Sequence, residues 1–279
     1  MIMPPARSDD MRFQFGKNWG QFLRVLDDER IVEAERSLTE MLDVRNLRGR
    51  SFIDVGSGSG LFSLAAKRLG ARQVCSFDYD ANSVACTKEL RRRFFPDEEN
   101  WTIEQGSVLD KTYVRSLGTF DIVYSWGVLH HTGDMWQAMA NVIELARPGG
   151  HLFIAIYNDQ GAISRRWLAV KRLYNRGPTL VQAALILGVG SYFAGRRFVG
   201  RLTRWQNPFS LAWWREKKKD RGMSMWHDLV DWVGGYPFEV ARPEEVFDFC
   251  RARGLALCRL KTAGGGLGNN QFVFVRQAH

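Results

Sequence analysis

A glycine-rich stretch early in the chain, DVGSGSG, has the residue types of a ligand-binding loop. It places Gly56, Gly58 and Gly60 on alternate positions, beginning two residues after Asp54. Glycines let a ligand approach the backbone closely, and the N-terminus of a following helix attracts an anionic group. The spacing differs from the G-x-G-x-x-G of dinucleotide-binding loops, and Asp54 would repel a phosphate. We therefore expect a ligand that combines a cationic end with a carboxylate.

A second carboxylate, Asp78, ends the apolar stretch QVCSFD eighteen residues after Gly60. In dinucleotide-binding folds a carboxylate in this position accepts hydrogen bonds from ribose hydroxyls. S-adenosylmethionine carries a ribose, an ammonium, a sulfonium and a carboxylate, so it satisfies both features. Two simpler interpretations stay open. The glycines could form a tight turn only, or Asp78 could cap a helix, although Asp80 can cap it instead.

Two histidines, His130 and His131, follow the apolar stretch FDIVYSW, and Tyr157 and Asn158 end the stretch HLFIAIYN. Open α/β folds bind their ligands at the carboxyl edge of the sheet, where these residues would lie. Histidine has an ordinary pKa of about 6.5 and suits proton transfer near neutral pH. We predict His131, His130 and Tyr157 as catalytic candidates and Asn158 as a substrate contact. Alternatively, the histidines only bond nearby backbone, and Tyr157 and Asn158 only finish their strand.

The elements that must position these residues alternate between strands and helices, which indicates a doubly wound parallel α/β sheet. Strands are predicted over 51–55, 73–78, 101–106, 120–126 and 151–158, and helices over 29–48, 61–70, 81–95 and 134–146. The sequence RPGG, just before the fifth strand, is predicted as a turn.

The alternation breaks near the end of the chain, where a helix over 242–254 precedes two strands joined by a glycine-rich turn. Strands connected so closely are antiparallel, so the sheet is expected to end in an antiparallel hairpin. We predict an N-terminal cap segment over 1–28 and a core in two pieces, 29–158 and 241–279. Between the two pieces we predict a basic, mainly helical insertion or lid over 159–240.

Five stretches together resemble the class I S-adenosylmethionine-dependent methyltransferases, especially the ubiquinone-pathway-like O-methyltransferase branch. They are FIDVGSGSG, SFDYD, QGSVLD, FDIVYSWGVLHHTGD and LARPGGHLFIAIYN, in the order and spacing of that family. The resemblance covers about residues 29–158 and 241–277. It implies a Rossmann-like seven-stranded sheet, S-adenosylmethionine as cofactor and S-adenosylhomocysteine as product.

The resemblance also assigns the cofactor residues. Around the methionine moiety it implies Asp54, Gly56, Ser57, Gly58, Gly60, Ser125 and Trp126, and around the nucleoside it implies Asp78, Tyr79, Ser107 and Val108. This chain departs from the pattern at Ser107, where many relatives carry an aspartate. His131 corresponds to the more regular histidine of the family, whereas His130 stands where many relatives have a glutamate.

The composition limits the remaining possibilities. Four cysteines without paired spacing and five histidines apart from them favour reduced thiols and no metal site. The N-terminal stretch is too polar for a signal peptide, and no apolar run reaches the roughly 18 residues of a membrane span. We expect a cytoplasmic protein.

The formal net charge of +9 is concentrated in one segment. Residues 159–221 contain fourteen Lys and Arg against three Asp and Glu, a net of +11, whereas the rest of the chain has a net of −2. Inside this segment, 180–195 is apolar and flanked by arginines and tryptophans. We expect either a lid helix or homodimer contact, or a peripheral membrane contact through 180–214 at the inner face of the membrane.

Three weaker substrate candidates lie outside the main motifs: Trp19, which would close the site from the N-terminal segment, and His227 and Tyr236 near the Gly-Gly turn. The sequence as a whole predicts a methyltransferase that acts on a small molecule or on a lipid- or glycan-linked acceptor, by O-methylation with His131 as candidate base. The alternatives are an RNA methyltransferase using the basic insertion, although nucleic acid is disfavoured as a partner, and a non-catalytic cofactor-binding protein.

Overall fold

The computed structural model describes residues 13, 15–24, 26–203, 205 and 225–278, which form a helix-covered sheet of seven strands. The strands are β1 (Ser51–Val55), β2 (Gln73–Asp78), β3 (Trp101–Gln105), β4 (Phe120–Trp126), β5 (Ala146–Tyr157), β6 (Leu255–Lys261) and β7 (Asn269–Arg276). Their spatial order is β3-β2-β1-β4-β5-β7-β6, parallel through β5, with β7 antiparallel to both of its neighbours. The predicted doubly wound sheet with an antiparallel C-terminal hairpin is confirmed.

Ten helices are described around the sheet. They are α1 (Phe15–Phe22), α2 (Asp28–Leu42), α3 (Leu61–Arg68), α4 (Ala81–Phe94), α5 (Lys111–Ser116), α6 (Met135–Glu144), α7 (Ala162–Arg176), α8 (Thr179–Leu202), α9 (Met225–Gly234) and α10 (Pro243–Arg251). Four of them begin at an aspartate whose carboxylate accepts a hydrogen bond from a first-turn backbone N–H: Asp27, Asp80, Asp110 and Asp134. Such capping satisfies N–H groups that have no partner inside the helix.

Two predicted boundaries are wrong. The first amphipathic helix ends at Leu42 and not at 48, because Asp43 adopts a left-handed backbone with φ 53° and stops it. The sequence RPGG is not a turn, because β5 already begins at Ala146, which pairs with Phe120. The short helices α1 and α5 were not predicted, since each is too brief to show a clear apolar period.

The central strands are buried on both faces, which explains why they are continuously apolar. All five residues of β1 are buried, including Asp54. One hydrophobic core lies between the sheet and α6 and α10, and includes Val123 and Phe272. The other lies on the side of α2 and α3 and includes Phe52 and Leu64. The sheet is therefore a rigid support, and its carboxyl edge carries the candidate residues.

The segment between β5 and α10 leaves the core and returns at the same point. The backbone N–H of Ala241 donates to the Tyr157 carbonyl at 3.0 Å, and that of Asp159 donates to the Ala241 carbonyl at 3.1 Å. Between these bonds lie α7, α8 and α9, with residues 206–224 outside the described part. Among the described helices, none is long and apolar enough to cross a membrane.

Candidate functional site

The glycine loop between β1 and α3 has a backbone conformation that favours glycine. Gly56, Gly58 and Gly60 have φ values of 79°, 54° and 82°, in the left-handed region. A Cβ atom at Gly56 would lie 2.4 Å from Val128, and one at Gly60 would lie 2.8 Å from the Thr87 backbone. The loop therefore presents bare backbone at the carboxyl end of β1, which is a cradle suited to a ligand.

Asp78, at the end of β2, holds this loop in place. Its carboxylate accepts the backbone N–H of Gly58 and that of Asp80, both at 2.9 Å. Burial raises the pKa of Asp78 to about 6, although these hydrogen bonds oppose the shift. Each carboxylate oxygen keeps a further lone pair, so a ribose can still donate to it. The helix-cap interpretation does not apply, because Asp80 caps α4.

Asp54 is buried at the start of a chain of hydrogen bonds. The Ser63 hydroxyl donates to Asp54 at 2.6 Å, Ser76 donates to Ser63 at 2.8 Å, and the Trp101 indole donates to Ser76 at 2.9 Å. Burial raises the pKa of Asp54 to about 7, against the effect of the Ser63 bond. Sequence reasoning missed Ser63 and Ser76, whose only signal is a hydroxyl within an otherwise apolar element.

The candidates for the nucleoside side surround the ends of β2 and β3. Tyr79, beside Asp78, is 47% exposed, so its ring is accessible to a flat ligand. The Ser107 hydroxyl accepts the backbone N–H of Leu109 at 3.2 Å and so stabilises its own turn. Val108 is buried, and its carbonyl accepts the Asn141 amide at 2.8 Å. The turn that carries Ser107 and Val108 is therefore held by the core.

At the end of β4, Ser125 is fully buried, and its hydroxyl donates to the Val55 carbonyl at 3.1 Å. This bond links β4 to β1 just before the glycine loop. The neighbouring Trp126 is partly buried and packs against the core on the α2 side. The structure thus brings both residues to the loop, with the Ser125 hydroxyl already used by the scaffold.

The two histidines after β4 have opposite hydrogen-bond patterns. Nδ1 of His131 lies 2.6 Å from the Pro237 carbonyl, which can only accept, so Nδ1 carries a proton, and in the neutral ring the lone pair is on Nε2. His130 is fully buried, and its Nδ1 accepts the Tyr157 backbone N–H at 3.3 Å. Burial, with the charges of His131 and Lys171 nearby, holds the pKa of His130 well below its ordinary value. Of the two, His131 has the geometry of a base.

Aromatic side chains form a chamber beside the histidines. The Tyr157 ring lies 3.9 Å from the His130 ring and 5.4 Å from each of the rings of Trp232 and Phe238, measured between centroids. Lys171 of α7 is buried against the same two rings and donates to the Trp232 carbonyl. Sequence reasoning missed Lys171, Trp232 and Phe238, because they come from the insertion and have no motif.

Helix α1 connects the glycine loop with this chamber. Phe15 and Trp19 lie four residues apart on one helix face. The Phe15 ring lies 4.9 Å from the His131 ring, and the Trp19 indole nitrogen lies 3.0 Å from where a Cβ of Gly58 would be. The backbone N–H of Gly16 donates to Asp80 at 2.9 Å and anchors the helix. One short helix therefore covers both halves of the candidate site.

Three remaining candidates have less direct positions. Asn158 donates to the Gly266 carbonyl at 3.2 Å and accepts the Asn270 amide at 3.0 Å, so its amide ties down the C-terminal hairpin turn. The Tyr236 carbonyl accepts the backbone N–H of Phe13 at 3.0 Å. His227 belongs to α9, but its side chain lies outside the described part. No cluster of metal-binding side chains occurs in the described residues.

Comparisons with known proteins agree with this geometry. A family model described as a methyltransferase domain matches residues 26–217. The ubiquinone biosynthesis O-methyltransferase of Rhizobium etli (strain CIAT 652) is 29% identical over 114 residues, which are 41% of this chain and 44% of that protein. The ribosomal protein L11 methyltransferase of Prochlorococcus marinus (strain AS9601) is 30% identical over 122 residues, 43% of this chain and 39% of that protein. The matches thus span less than half of these relatives.

The fold extends the similarity over nearly the whole chain. The crystal structure of magnesium protoporphyrin IX methyltransferase from Synechocystis PCC 6803, with bound SAH, superposes with a TM-score of 0.55 at 12% identity. The superposition covers 97% of this chain and 98% of that one. Fold and site together define a class I S-adenosylmethionine-dependent methyltransferase. The chain belongs to the methyltransferase family whose model matches residues 26–217.

Proposed function

We propose that this protein methylates a hydroxyl group of a small molecule or of a lipid- or glycan-linked acceptor, with His131 as general base. The observation that carries the proposal is the 2.6 Å contact between His131 Nδ1 and the Pro237 carbonyl. It makes Nε2 the basic nitrogen of the neutral ring, at the carboxyl edge of β4, where ligands of such sheets bind. A neutral imidazole with a fixed tautomer is suited to take the proton of an attacking hydroxyl.

The residues around the glycine loop fit the methyl donor. S-adenosylmethionine supplies an electrophilic methyl group on a sulfonium. Asp54 would attract its cationic end, and the loop backbone from Gly56 to Gly60 would contact its methionine part. Asp78 would accept the ribose hydroxyls, and Tyr79 would flank the adenine. Four further residues are proposed to lie beside the cofactor because they shape the backbone around it: Ser107, Val108, Ser125 and Trp126.

The chamber beside His131 fits an acceptor with a flat or apolar body. Tyr157, Trp232 and Phe238 offer ring faces, and Phe15 approaches from α1. Such walls position the acceptor and exclude water, which otherwise competes for the methyl group. The acceptor hydroxyl loses its proton to His131 as its oxygen forms the bond to the methyl group. The bond between that methyl group and the donor sulfur breaks in the same step, and S-adenosylhomocysteine is the leaving group. The tautomer held by Pro237 supports O-methylation, since an amine acceptor needs no base.

The test is to incubate cell extract with the protein and a donor carrying an isotopically labelled methyl group, followed by mass spectrometry. We expect one labelled product in the small-molecule or lipid fraction, with the label released by reagents that cleave aryl or alkyl methyl ethers or esters. His131→Ala should lose this product. Label that appears only in RNA, or on nitrogen with undiminished turnover in His131→Ala, would contradict the proposal.

A further inference from the structure

Helix α8 presents apolar side chains to solvent along its whole length. It has 24 residues, and no described side chain in it is buried. Leu180 is 84% exposed, Leu187 66% and Leu202 51%. These positions recur at helical spacing and so lie on one face. Monomeric soluble proteins rarely expose apolar surface on this scale, so the face of α8 has the character of an interaction site.

The charge around this face is of one sign. From 162 to 203 the chain has eight Lys and Arg and no Asp or Glu. Arg165, Arg166 and Arg172 are exposed on α7, and Arg196 is exposed on α8. Trp205, just after α8, is 98% exposed. A helix with an exposed apolar face, with exposed arginines on it and on the neighbouring α7 and a tryptophan at its end, has the composition of segments that lie in a membrane interface.

We propose that the hairpin of α7 and α8 docks on an anionic lipid surface. The described helices cannot cross a membrane, so α8 would lie along the surface with its apolar face among the acyl chains. The arginines would contact anionic headgroups, where each basic residue strengthens binding about fivefold. A second copy of this chain is the poorer occupant, because it would bring two segments of the same positive charge together.

This docking would place the acceptor chamber next to the lipid. On its inner side, α7 contributes Lys171, which packs against Trp232 and Phe238 of the chamber. The inner side of α8 approaches α9, because a Cβ at Gly190 would lie 3.1 Å from Leu229. The same hairpin thus has one side towards the chamber and the other towards solvent. Resting on the proposed methyl transfer, this arrangement favours an amphiphilic acceptor that enters from the bilayer.

The test is co-sedimentation of the full chain with vesicles of phosphatidylcholine, with and without phosphatidylglycerol. We expect binding to the anionic vesicles at low salt, weaker binding to the neutral ones, and release as salt screens the charges. Leu187→Glu combined with Val199→Glu should lower binding at least tenfold, because Val199 is a further exposed apolar residue of α8, at 57%. Arg165→Gln, Arg166→Gln and Arg172→Gln together should lower it about 10²-fold.

Val32→Glu is the matched control, because Val32 is 51% exposed on α2 and should leave vesicle binding unchanged. Thermal stabilisation by S-adenosylhomocysteine should be the same in all variants, which separates this proposal from the cofactor site. The proposal is wrong if the wild type ignores anionic vesicles at low salt. It is also wrong if the wild type is a dimer that Leu187→Glu with Val199→Glu dissociates, or if RNA binds the arginines while both vesicle types are ignored.

Discussion

His131 and Pro237 are joined by a 2.6 Å hydrogen bond between a ring nitrogen and a backbone carbonyl, across 106 residues of sequence. His131 follows β4 of the core, whereas Pro237 belongs to the end of the inserted segment. The carbonyl selects the tautomer with the proton on Nδ1, so the insertion orients the proposed base. The insertion is therefore part of the site, because it supplies this carbonyl together with the chamber walls.

The first prediction is that His131→Ala loses turnover while it keeps cofactor affinity. Removal of a general base typically lowers the rate by about 10² to 10⁴. His131 contacts Pro237, Phe15, Tyr157 and His130, which lie outside the glycine loop, so we expect that loop to be unaffected. The measurement is kcat with the identified acceptor, beside the dissociation constant of S-adenosylhomocysteine.

His151→Ala is the control for this variant, because His151 pairs with Ile122 in β5, well before the carboxyl end of that strand at Tyr157. It should keep kcat near the wild-type value. If His131→Ala turns over at the wild-type rate, His131 is not the base, and an amine acceptor becomes the better explanation.

The second prediction concerns Asp78 and the ribose. A ligand at about 100 times its dissociation constant stabilises a protein by roughly 2.7 kcal/mol. Asp78→Ala should abolish most of this gain with S-adenosylhomocysteine, because the carboxylate would bond to the ribose and also holds Gly58. Asp110→Ala should keep the gain, since Asp110 only caps α5, although loss of the cap costs about 1 kcal/mol. The measurement is thermal unfolding of both variants with and without ligand. If the ligand raises the melting temperature of both variants equally, Asp78 is not part of the cofactor site.

The third prediction compares two glycines with similar backbones. Gly58 and Gly118 have φ values of 54° and 77°, so alanine at either position introduces a similar strain of about 1–2 kcal/mol. Only at Gly58 would the new methyl group meet another side chain, the indole of Trp19, whereas nothing lies within 4 Å at Gly118.

We expect Gly58→Ala to weaken cofactor binding at least tenfold and Gly118→Ala to leave it unchanged. The measurement is the dissociation constant of S-adenosylhomocysteine by calorimetry. Because the two groups touch, Gly58→Ala combined with Trp19→Ala should be less harmful than the sum of the single changes; strict additivity would show that α1 does not cover the loop.

Much of the core could be predicted from the sequence, because its signals are local. The strand leading to Asp54, the glycine loop and the strand ending in Asp78 follow from apolar runs and turn residues within short windows. The alternation of strands and helices predicts that β4 and β5 are parallel, so that their carboxyl ends lie at the same edge of the sheet. His130, His131 and Tyr157 were therefore expected close together, and the structure has them in contact. The closing hairpin follows from two apolar runs around a glycine-rich turn.

The rest of the site depends on contacts that no short window reveals. The bond between His131 and Pro237 joins two loops distant in sequence, and the packing of Lys171 against Trp232 joins two helices of the insertion. Ser63 and Ser76 are polar residues in apolar elements, and only the fold shows that they support Asp54. The sequence offered Trp19 as a residue that closes the site, but helix α1 lacks a long periodic pattern, so the contact of Phe15 with His131 could not be predicted.

The last prediction uses the raised pKa of Asp54. Its folded pKa is about 7, against an ordinary value of 3.8, because burial disfavours the carboxylate. Between these pH values the folded protein holds a proton that the unfolded chain has released. The free energy of unfolding therefore falls as pH rises from about 4 to 7, by up to about 1.4 kcal/mol per pH unit. An asparagine side chain cannot titrate, so Asp54→Asn should lack this component, while groups that do not interact with Asp54 titrate in both proteins and cancel in the difference. We expect the wild type to lose stability relative to Asp54→Asn across this range, in urea unfolding without ligand. A constant difference between wild type and Asp54→Asn would mean that Asp54 stays ionised in the fold.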